Sequence, residues 1–287
     1  MDNIRRQSPF SNTSKNSVLS RYFDSRYGGV EWCYMHAEPR PCFTPDLLDE
    51  LAGEFSALSS GALGEVSYLV LASSVPDVFN LGGDLNLFRQ LIDAGDRAGL
   101  LRYATACIDM VYAPTTGFGR SVTGIALVQG DALGGGFEAA LAGDVLIAER
   151  HARMGMPEIL FNLFPGMGAL TLLSRRIGLK AAERLILSGQ VFSAEELHEM
   201  GVVDVLAETG EGEHAVYTFL EAEAHHANGV RALRQAKRLC SPVSYAELHG
   251  ITEVWVDAAL RLTTRDLRMM ERLVKRQSKR ASAVEMA

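Results

Sequence analysis

The chain has 287 residues, of which 47% are apolar and 22% charged, a composition typical of a globular protein. Its length predicts one core with a smaller appendage, and no apolar run reaches the ~18 residues of a membrane span. Residues 1–230 carry 16 basic and 29 acidic side chains, whereas residues 231–287 carry 12 and 6. The net charge of −7 argues against nucleic acid as a partner of the whole chain, although the C-terminal end is basic.

The first 20 residues are polar and lack the apolar stretch of a signal peptide. We interpret residues 1–20 as a flexible tail of a cytoplasmic protein. The histidines form no HExxH motif and the cysteines no CxxC pair, so neither a metal nor another cofactor is predicted. Free thiols are expected at Cys33, Cys42, Cys107 and Cys240.

From about residue 21 to 210, short apolar runs alternate with helical patterns, which predicts an α/β core. The first helix begins after Thr44, a good N-cap that is followed by proline. Apolar, β-branched runs predict strands at 66–74, 123–130 and 144–150, and a weaker edge strand at 201–207. A helical segment to about Met110 and a short helix after the glycines of 134–136 are expected between them.

The C-terminal region, 211–287, is predicted to be helical. Its pattern from 244 to 280 is that of one long helix with an apolar stripe and a separate basic stripe. The basic stripe consists of Arg261, Arg265, Arg268, Arg272, Arg276 and Lys279. A stripe of this kind is either a solvated face, a subunit contact or a docking surface for an acidic partner.

Three segments are expected to follow strands and to carry chemistry: LGGD (81–84), GGGFE (134–138) and MPEI (156–159). Glycine turns expose backbone N–H groups, and two such turns can aim two donors at one oxygen, forming an oxyanion hole. Each turn alone is also compatible with tight packing of a helix on a sheet. A nucleotide site is not favoured, because the glycine turn at 130–137 lacks the Lys-Ser/Thr pair of a phosphate loop.

Two glutamates lie in unusually apolar surroundings. Glu138 is followed by Ala-Ala-Leu-Ala, and Glu158 is flanked by methionine, proline, isoleucine, leucine and phenylalanine. Desolvation of a lone carboxylate is costly, so a glutamate in such a segment is usually paired or functional. Burial also raises a carboxyl pKa towards neutrality, which suits proton transfer. The pair is therefore the candidate acid and base.

These three segments, in this order and spacing, resemble the crotonase (enoyl-CoA hydratase/isomerase) superfamily over about residues 20–280. The resemblance implies a spiral of ββα units, a helical C-terminal region and assembly as a homotrimer or a dimer of trimers. It also implies that the N–H groups of Gly83 and Gly135 form the oxyanion hole and that Glu138 and Glu158 are the catalytic carboxylates. Both carboxylates together are typical of hydration or dehydration.

Two departures narrow the resemblance. The segment MHAEPRPCFTPD (35–46) lacks the usual Asn-Ala pair of coenzyme A enzymes, and Asn-Leu-Phe-Pro (162–165) replaces Gly-x-x-Pro. The chain is similar in these features to the diffusible signal factor synthases. That similarity implies dehydration of a 3-hydroxyacyl chain on acyl carrier protein to a cis-2-enoyl product and hydrolysis of the thioester to a free fatty acid. Some such synthases are also bound by a sensor or regulatory protein.

In the expected mechanism, Glu158 removes the proton next to the carbonyl and protonated Glu138 donates to the departing hydroxyl. The acyl chain needs an apolar pocket. Candidates for substrate contacts are Gly82, Leu133, Gly136, Met167, Trp255 and Leu273, and each is also compatible with an ordinary role in the core. The alternative functions are a general enoyl-CoA hydratase of fatty acid metabolism and a non-catalytic regulatory protein with this fold.

Overall fold

The computed structural model describes residues 17–36 and 40–272, which form two sheets surrounded by helices. The large sheet contains, in spatial order, β1 (Leu19–Asp24), β2 (Val30–Met35), β3 (Tyr68–Ser73), β5 (Thr123–Val128), β7 (Val145–Glu149) and β10 (Val205–Ala207). The small sheet contains β4 (Val78–Asn80), β6 (Asp131–Leu133), β8 (Arg153–Gly155) and β9 (Val191–Ser193). Only β1 and β9 run antiparallel to their neighbours.

The helices cover the sheets. They are α1 (Pro45–Ser60), α2 (Leu85–Asp93), α3 (Arg97–Thr115), α4 (Gly135–Ala142), α5 (Ala169–Ile177), α6 (Leu179–Ser188), α7 (Ala194–Glu199), α8 (Gly212–Ala224), α9 (Ala227–Cys240) and α10 (Tyr245–Ala259). Short 3-10 helices span Arg26–Gly28 and Pro157–Phe161. The Thr44 hydroxyl accepts the Leu47 N–H at 3.3 Å, so α1 begins as the sequence predicts.

Successive strand pairs alternate between the two sheets. In each of the pairs β3–β4, β5–β6 and β7–β8, the first strand belongs to the large sheet and the second to the small sheet, and helical structure follows. The large sheet is covered on both faces, because its alternate side chains enter two separate apolar clusters. The α/β class and the ββα spiral are thereby confirmed.

The strong strand predictions are correct: 66–74, 123–130 and 144–150 contain β3, β5 and β7. The weaker segment 201–207 contains β10, which is an edge strand paired with β7. Leu19 and Ser20, placed in the polar tail by the sequence, already belong to β1. Residues 1–16 lie outside the described residues. Where the structure covers the chain, no helix is both long and apolar enough to cross a bilayer.

The single long helix predicted for 244–280 is wrong. Helix α10 ends at Ala259, and a new helical segment occupies 264–272. The break has a local cause: the Asp266 carboxylate accepts the Thr263 N–H at 2.8 Å, and the Thr263 hydroxyl accepts the Asp266 N–H at 3.4 Å. This reciprocal capping starts a separate helical segment. Residues 273–287, with Leu273, Arg276 and Lys279, lie outside the described residues.

Candidate active site

The three glycine and glutamate segments all follow strands of the small sheet. LGGD follows β4, GGGFE follows β6 and MPEI follows β8. These strands are adjacent and parallel in the order β4-β6-β8. Parallel strands end at the same edge of a sheet, so the three segments meet there. The candidate site lies at this edge of the small sheet.

The LGGD turn directs the N–H of Gly83 towards a cavity. The Asn80 side-chain oxygen accepts the Gly82 N–H at 2.8 Å, and the Gly82 carbonyl accepts the Phe43 N–H at 2.8 Å. In a trans peptide the carbonyl and the following N–H point in opposite directions. The Gly83 N–H therefore points away from Phe43, and no residue within the described ranges accepts it. Gly82 has a φ of +96°, which favours glycine.

The second turn brings Gly135 against the first. A Cβ built on Gly135 would lie 3.4 Å from the Gly83 nitrogen, so the two glycine backbones are in contact. Gly135 is the first residue of α4, where helical N–H groups have no partner within the helix. Its N–H likewise has no acceptor in the part of the chain that the structure covers. Two neighbouring free donors at a helix N-terminus suit an anionic oxygen.

Glu138 lies on α4 and is only 2% exposed. Its Oε1 accepts the N–H groups of Met167 and Ala169 at 2.9 and 3.0 Å. Burial raises the pKa of Glu138 to about 7, and the two N–H donors partly oppose that rise because they stabilise the ionised form. A carboxyl with this pKa exchanges protons readily at neutral pH.

Glu158 lies at the start of the 3-10 helix Pro157–Phe161. Its Oε2 is buried and has no hydrogen-bond partner among the described residues. Burial, followed by the nearby charge of Glu138, raises the pKa of Glu158 to about 8. Its Oε1 lies beside Gly134, since a Cβ on that glycine would be only 2.3 Å away.

The hydrogen bonds of the two glutamates favour a proton arrangement opposite to the one with which the expected mechanism begins. The expected mechanism begins with Glu158 ionised and Glu138 protonated. Glu138, however, accepts two N–H groups while Glu158 Oε2 accepts none, so the coupled pair loses its first proton from Glu138. The sequence does not show this, because the donors come from residues about 30 positions further along the chain.

The two carboxyls and the two free N–H groups open into one cavity of about 940 Å³ that includes its mouth. Its wall is otherwise largely apolar and contains four of the predicted substrate contacts, namely Gly82, Leu133, Met167 and Trp255. Gly136 does not line it: a Cβ there would be 2.0 Å from the Asn80 carbonyl oxygen, so this glycine serves close helix–strand packing. The substrate contact predicted at Gly136 stays a prediction that its place in the fold does not support. Leu273 lies outside the described residues.

Several lining residues are missed by the sequence. Phe88 packs on Gly83, meets Tyr103 edge to face with ring centroids 5.1 Å apart, and contacts the tilted ring of Trp255 at 5.0 Å. The segment after the break in the C-terminal helix contributes Leu262 and Met270. The Thr-x-x-Asp pattern at 263–266 is typical of a helix start, and it could have predicted this segment from the sequence.

A second cluster of ionisable groups lies away from this cavity. Glu31 and Cys33 on β2 and Glu54 on α1 are buried, and one potential metal-ligand atom of each lies within 4.8 Å of the others. Arg21 binds Glu54 at 2.8 Å. Burial, together with the charge of Glu54, raises the pKa of Glu31 to about 7. Residue spacing does not reveal this cluster, because α1 joins it from a distant part of the chain.

Comparison with known proteins agrees with this geometry. The family model described as enoyl-CoA hydratase/isomerase matches residues 35–239. The chain belongs to this family. It is 32% identical over 196 residues to mouse mitochondrial methylglutaconyl-CoA hydratase and 28% identical over 222 residues to probable mitochondrial enoyl-CoA hydratase 2 of Arabidopsis thaliana. These alignments cover 67% and 77% of this chain, and 59% and 69% of the respective relatives.

Solved structures of family members share the fold. The enoyl-CoA hydratase of Bacillus halodurans superimposes with a TM-score of 0.76 at 22% identity, covering 89% of this chain and 99% of that one. Pseudomonas aeruginosa DspI is 27% identical with a TM-score of 0.62, covering 82% of this chain and 89% of that one. The first likeness concerns the fold alone, whereas DspI is also the more similar of the two in sequence.

Proposed function

We propose that this enzyme converts 3-hydroxyacyl chains on acyl carrier protein into free cis-2-unsaturated fatty acids that serve as diffusible signals. The observation that carries the proposal is the meeting of two buried carboxyls and two free backbone N–H groups at the head of one apolar cavity. An acyl thioester matches such a site, since its carbonyl oxygen needs donors, its α and β carbons need acid and base, and its chain needs an apolar wall.

Dehydration begins with Glu158 ionised and Glu138 protonated. With the thioester oxygen between the N–H groups of Gly83 and Gly135, Glu158 takes a proton from the α carbon and the hole stabilises the enolate. The bond between the β carbon and its hydroxyl then breaks, and Glu138 supplies the proton that makes the leaving group water. The step ends with Glu158 protonated and Glu138 ionised. The resemblance to signal synthases, not the site itself, implies the cis geometry.

Hydrolysis begins with the opposite proton arrangement, in which Glu138 is ionised and Glu158 is protonated. Ionised Glu138 accepts a proton from water as the water oxygen adds to the thioester carbon, and Glu158 donates its proton to the departing carrier thiolate. The products are a free acid and the carrier thiol. The pair then has the protonation needed for another dehydration. The proton arrangement between the two steps is the one that the hydrogen bonds of Glu138 favour.

An acidic carrier protein suits the charge at the C-terminal end. Arg261, Arg265, Arg268 and Arg272 are exposed, and the chain from residue 231 onwards carries a net charge of +6. Such a surface attracts an acidic partner through long-range electrostatics. The segment at 35–46, without the Asn-Ala pair, argues in the same direction against coenzyme A. A cytoplasmic location and a homotrimer or dimer of trimers belong to the same proposal.

A general enoyl-CoA hydratase is the second candidate, and the curated relatives favour it. The mouse relative, at 32% identity, is named a methylglutaconyl-CoA hydratase. Such an enzyme uses the same two carboxyls and the same hole, but it adds water to a trans-2-enoyl-CoA and releases no acid. Carrier preference and free-acid release therefore separate the two candidates.

The test incubates the purified enzyme with 3-hydroxyacyl chains on acyl carrier protein and on coenzyme A, and identifies products by mass spectrometry. We expect free cis-2-enoic acid from the carrier-protein substrates. Glu138→Ala and Glu158→Ala should each reduce its formation at least ~100-fold, the usual contribution of a general acid or base. Glu199→Ala, which removes an exposed glutamate on α7, is the control and should retain activity.

Two results would contradict the proposal. Rapid hydration of trans-2-enoyl-CoA without any free acid would identify a general hydratase. Full activity of either active-site variant would remove that glutamate from the mechanism.

A further inference from the structure

A second apolar void lies behind the catalytic cavity. The space between its side chains is about 400 Å³ when the part open to solvent is included, so only a small part of it is enclosed. Its wall comes from α1, β3, α3 and β5 and includes Leu51, Phe55, Leu69, Leu71, Phe118 and Ile125. Every residue that lines it is apolar or glycine. A pocket with this lining favours apolar ligands.

The two cavities share part of their walls. Phe43, Met110 and Ala139 line both of them. Ala139 directly follows the catalytic glutamate of α4, so the shared wall begins one residue from the reacting atoms. On α3, Cys107, Met110 and Val111 all face the catalytic cavity, as the i, i+3 and i+4 positions of a helix should.

Of the three residues in the shared wall, Met110 has the most adaptable side chain. Phe43 is fixed through its backbone, because its N–H binds the Gly82 carbonyl and its own carbonyl accepts the Tyr103 hydroxyl. Ala139 has no side chain beyond Cβ. Met110 is 7% exposed, and its unbranched thioether has three rotatable bonds and adapts easily to neighbouring groups.

We infer that the second void is the binding site for the far end of a long acyl chain, which reaches it past Met110. This inference rests on the proposed function, which places the thioester carbonyl at Gly83 and Gly135. The inference adds that the chain follows the α3 residues that line the same cavity. Met110 then determines which chain lengths the enzyme accepts. Short chains end in the catalytic cavity, and longer chains displace the methionine side chain and bury their last methylenes behind it.

The physical basis is the gain from burying methylenes. Each methylene that leaves water for an apolar site improves binding about fourfold. In the native enzyme, part of that gain is offset when Met110 moves from its packed position. Removal of the thioether should therefore favour long chains, whereas a bulkier side chain should exclude them.

The experiment measures kcat/KM for 3-hydroxyacyl chains of increasing length, together with the affinity for free fatty acids of the same lengths. Met110→Ala should move the preferred length to longer chains, with about fourfold higher kcat/KM and affinity for each added methylene beyond the native optimum. Met110→Phe should move the preference to shorter chains. Leu197→Ala, which removes a fully buried side chain of α7 outside both cavities, controls for loss of stability and should keep the native profile.

The outcomes distinguish this inference from the proposed function. If no thioester is turned over, the proposed function fails, and the fatty-acid affinities of the Met110 variants still test the second void. If the native enzyme is active but all chain-length profiles run parallel, the inference is overturned. Opposite shifts for Met110→Ala and Met110→Phe support it. If one of the two variants is too unstable for kinetics, the direction of the shift in the other variant decides.

Discussion

At the scale of single residues, Gly134 lies directly beside the carboxyl of Glu158, the proposed base. Its φ of +53° and ψ of −123° form a conformation that side chains strongly disfavour. A Cβ at this position would also lie 2.3 Å from Oε1 of Glu158. The methyl group of an alanine would therefore strain the turn and push the carboxyl away from the substrate.

We expect Gly134→Ala to lower kcat by about 100-fold, since a displacement near 1 Å at a reacting group has about this effect. The measurement is steady-state kinetics beside a thermal unfolding curve. Gly53→Ala is the matched control: Gly53 lies within α1 with no atom within 4 Å of a built Cβ. That variant should keep full activity and gain roughly 0.5–1 kcal/mol of stability. Full activity of Gly134→Ala would show that Glu158 tolerates displacement.

Residue chemistry could be predicted from the sequence where it depended on local context. The apolar neighbours of Glu138 correctly indicate its burial, whereas Glu158 is half-buried, with an enclosed Oε2. The proton order of the pair depends on the amides of Met167 and Ala169, which only the folded chain brings to Glu138. Gly136 illustrates the same limit, because three consecutive glycines look equivalent until one of them is seen against the Asn80 carbonyl.

At the scale of elements, strands with a continuous apolar run were predicted, whereas β1 and β2, which are also six residues long, and the three-residue strands of the small sheet were not. Strands β3 and β5 each have six residues and a strong apolar pattern. Strands β4, β6, β8 and β9 have three residues each, too few for an alternation to be recognised. The small sheet nevertheless carries all three active-site turns. Its existence could be inferred only from the resemblance to the family.

Helix α3 also contacts the LGGD turn through the side chain of Tyr103. Tyr103 of α3 accepts the Asp84 N–H at 2.9 Å and donates to the Phe43 carbonyl. Asp84 directly follows Gly83, and Phe43 binds the Gly82 carbonyl through its N–H, so both residues adjoin the peptide between Gly82 and Gly83. Tyr103→Phe leaves the Asp84 N–H and the Phe43 carbonyl without this partner, so stability should fall by about 1–3 kcal/mol.

The same change should loosen the Gly83 turn and thus lower kcat more than it raises KM, because the hole acts mainly in the transition state. Tyr112→Phe, on the same helix, is the control, and it should change neither kcat nor the unfolding midpoint appreciably. If Tyr103→Phe unfolds earlier but retains the native kcat, the tyrosine supports the fold without positioning the hole.

At the scale of the whole molecule, buried carboxyls make stability depend on pH. The pKa values of Glu31 and Glu138 are raised to about 7 and that of Glu158 to about 8, whereas an ordinary glutamate has a pKa near 4.5. A raised pKa means that the folded chain binds protons which the unfolded chain has already released. The free energy of unfolding should therefore decrease as pH rises from about 4.5 to 8.

Glu31 isolates this effect from catalysis, because it lies outside the active-site cavity. Glu31→Gln removes the ionisation but retains the size of the side chain, so its effect should be small at pH 5 and grow to a stabilisation of roughly 1–3 kcal/mol at pH 8.5. Urea unfolding at pH 5, 6.5 and 8.5 measures it. Glu65→Gln removes an exposed negative charge and serves as the control, with no comparable growth across this range. If the effect of Glu31→Gln on the free energy of unfolding were the same at all three pH values, the pKa of Glu31 would not be raised in the folded chain.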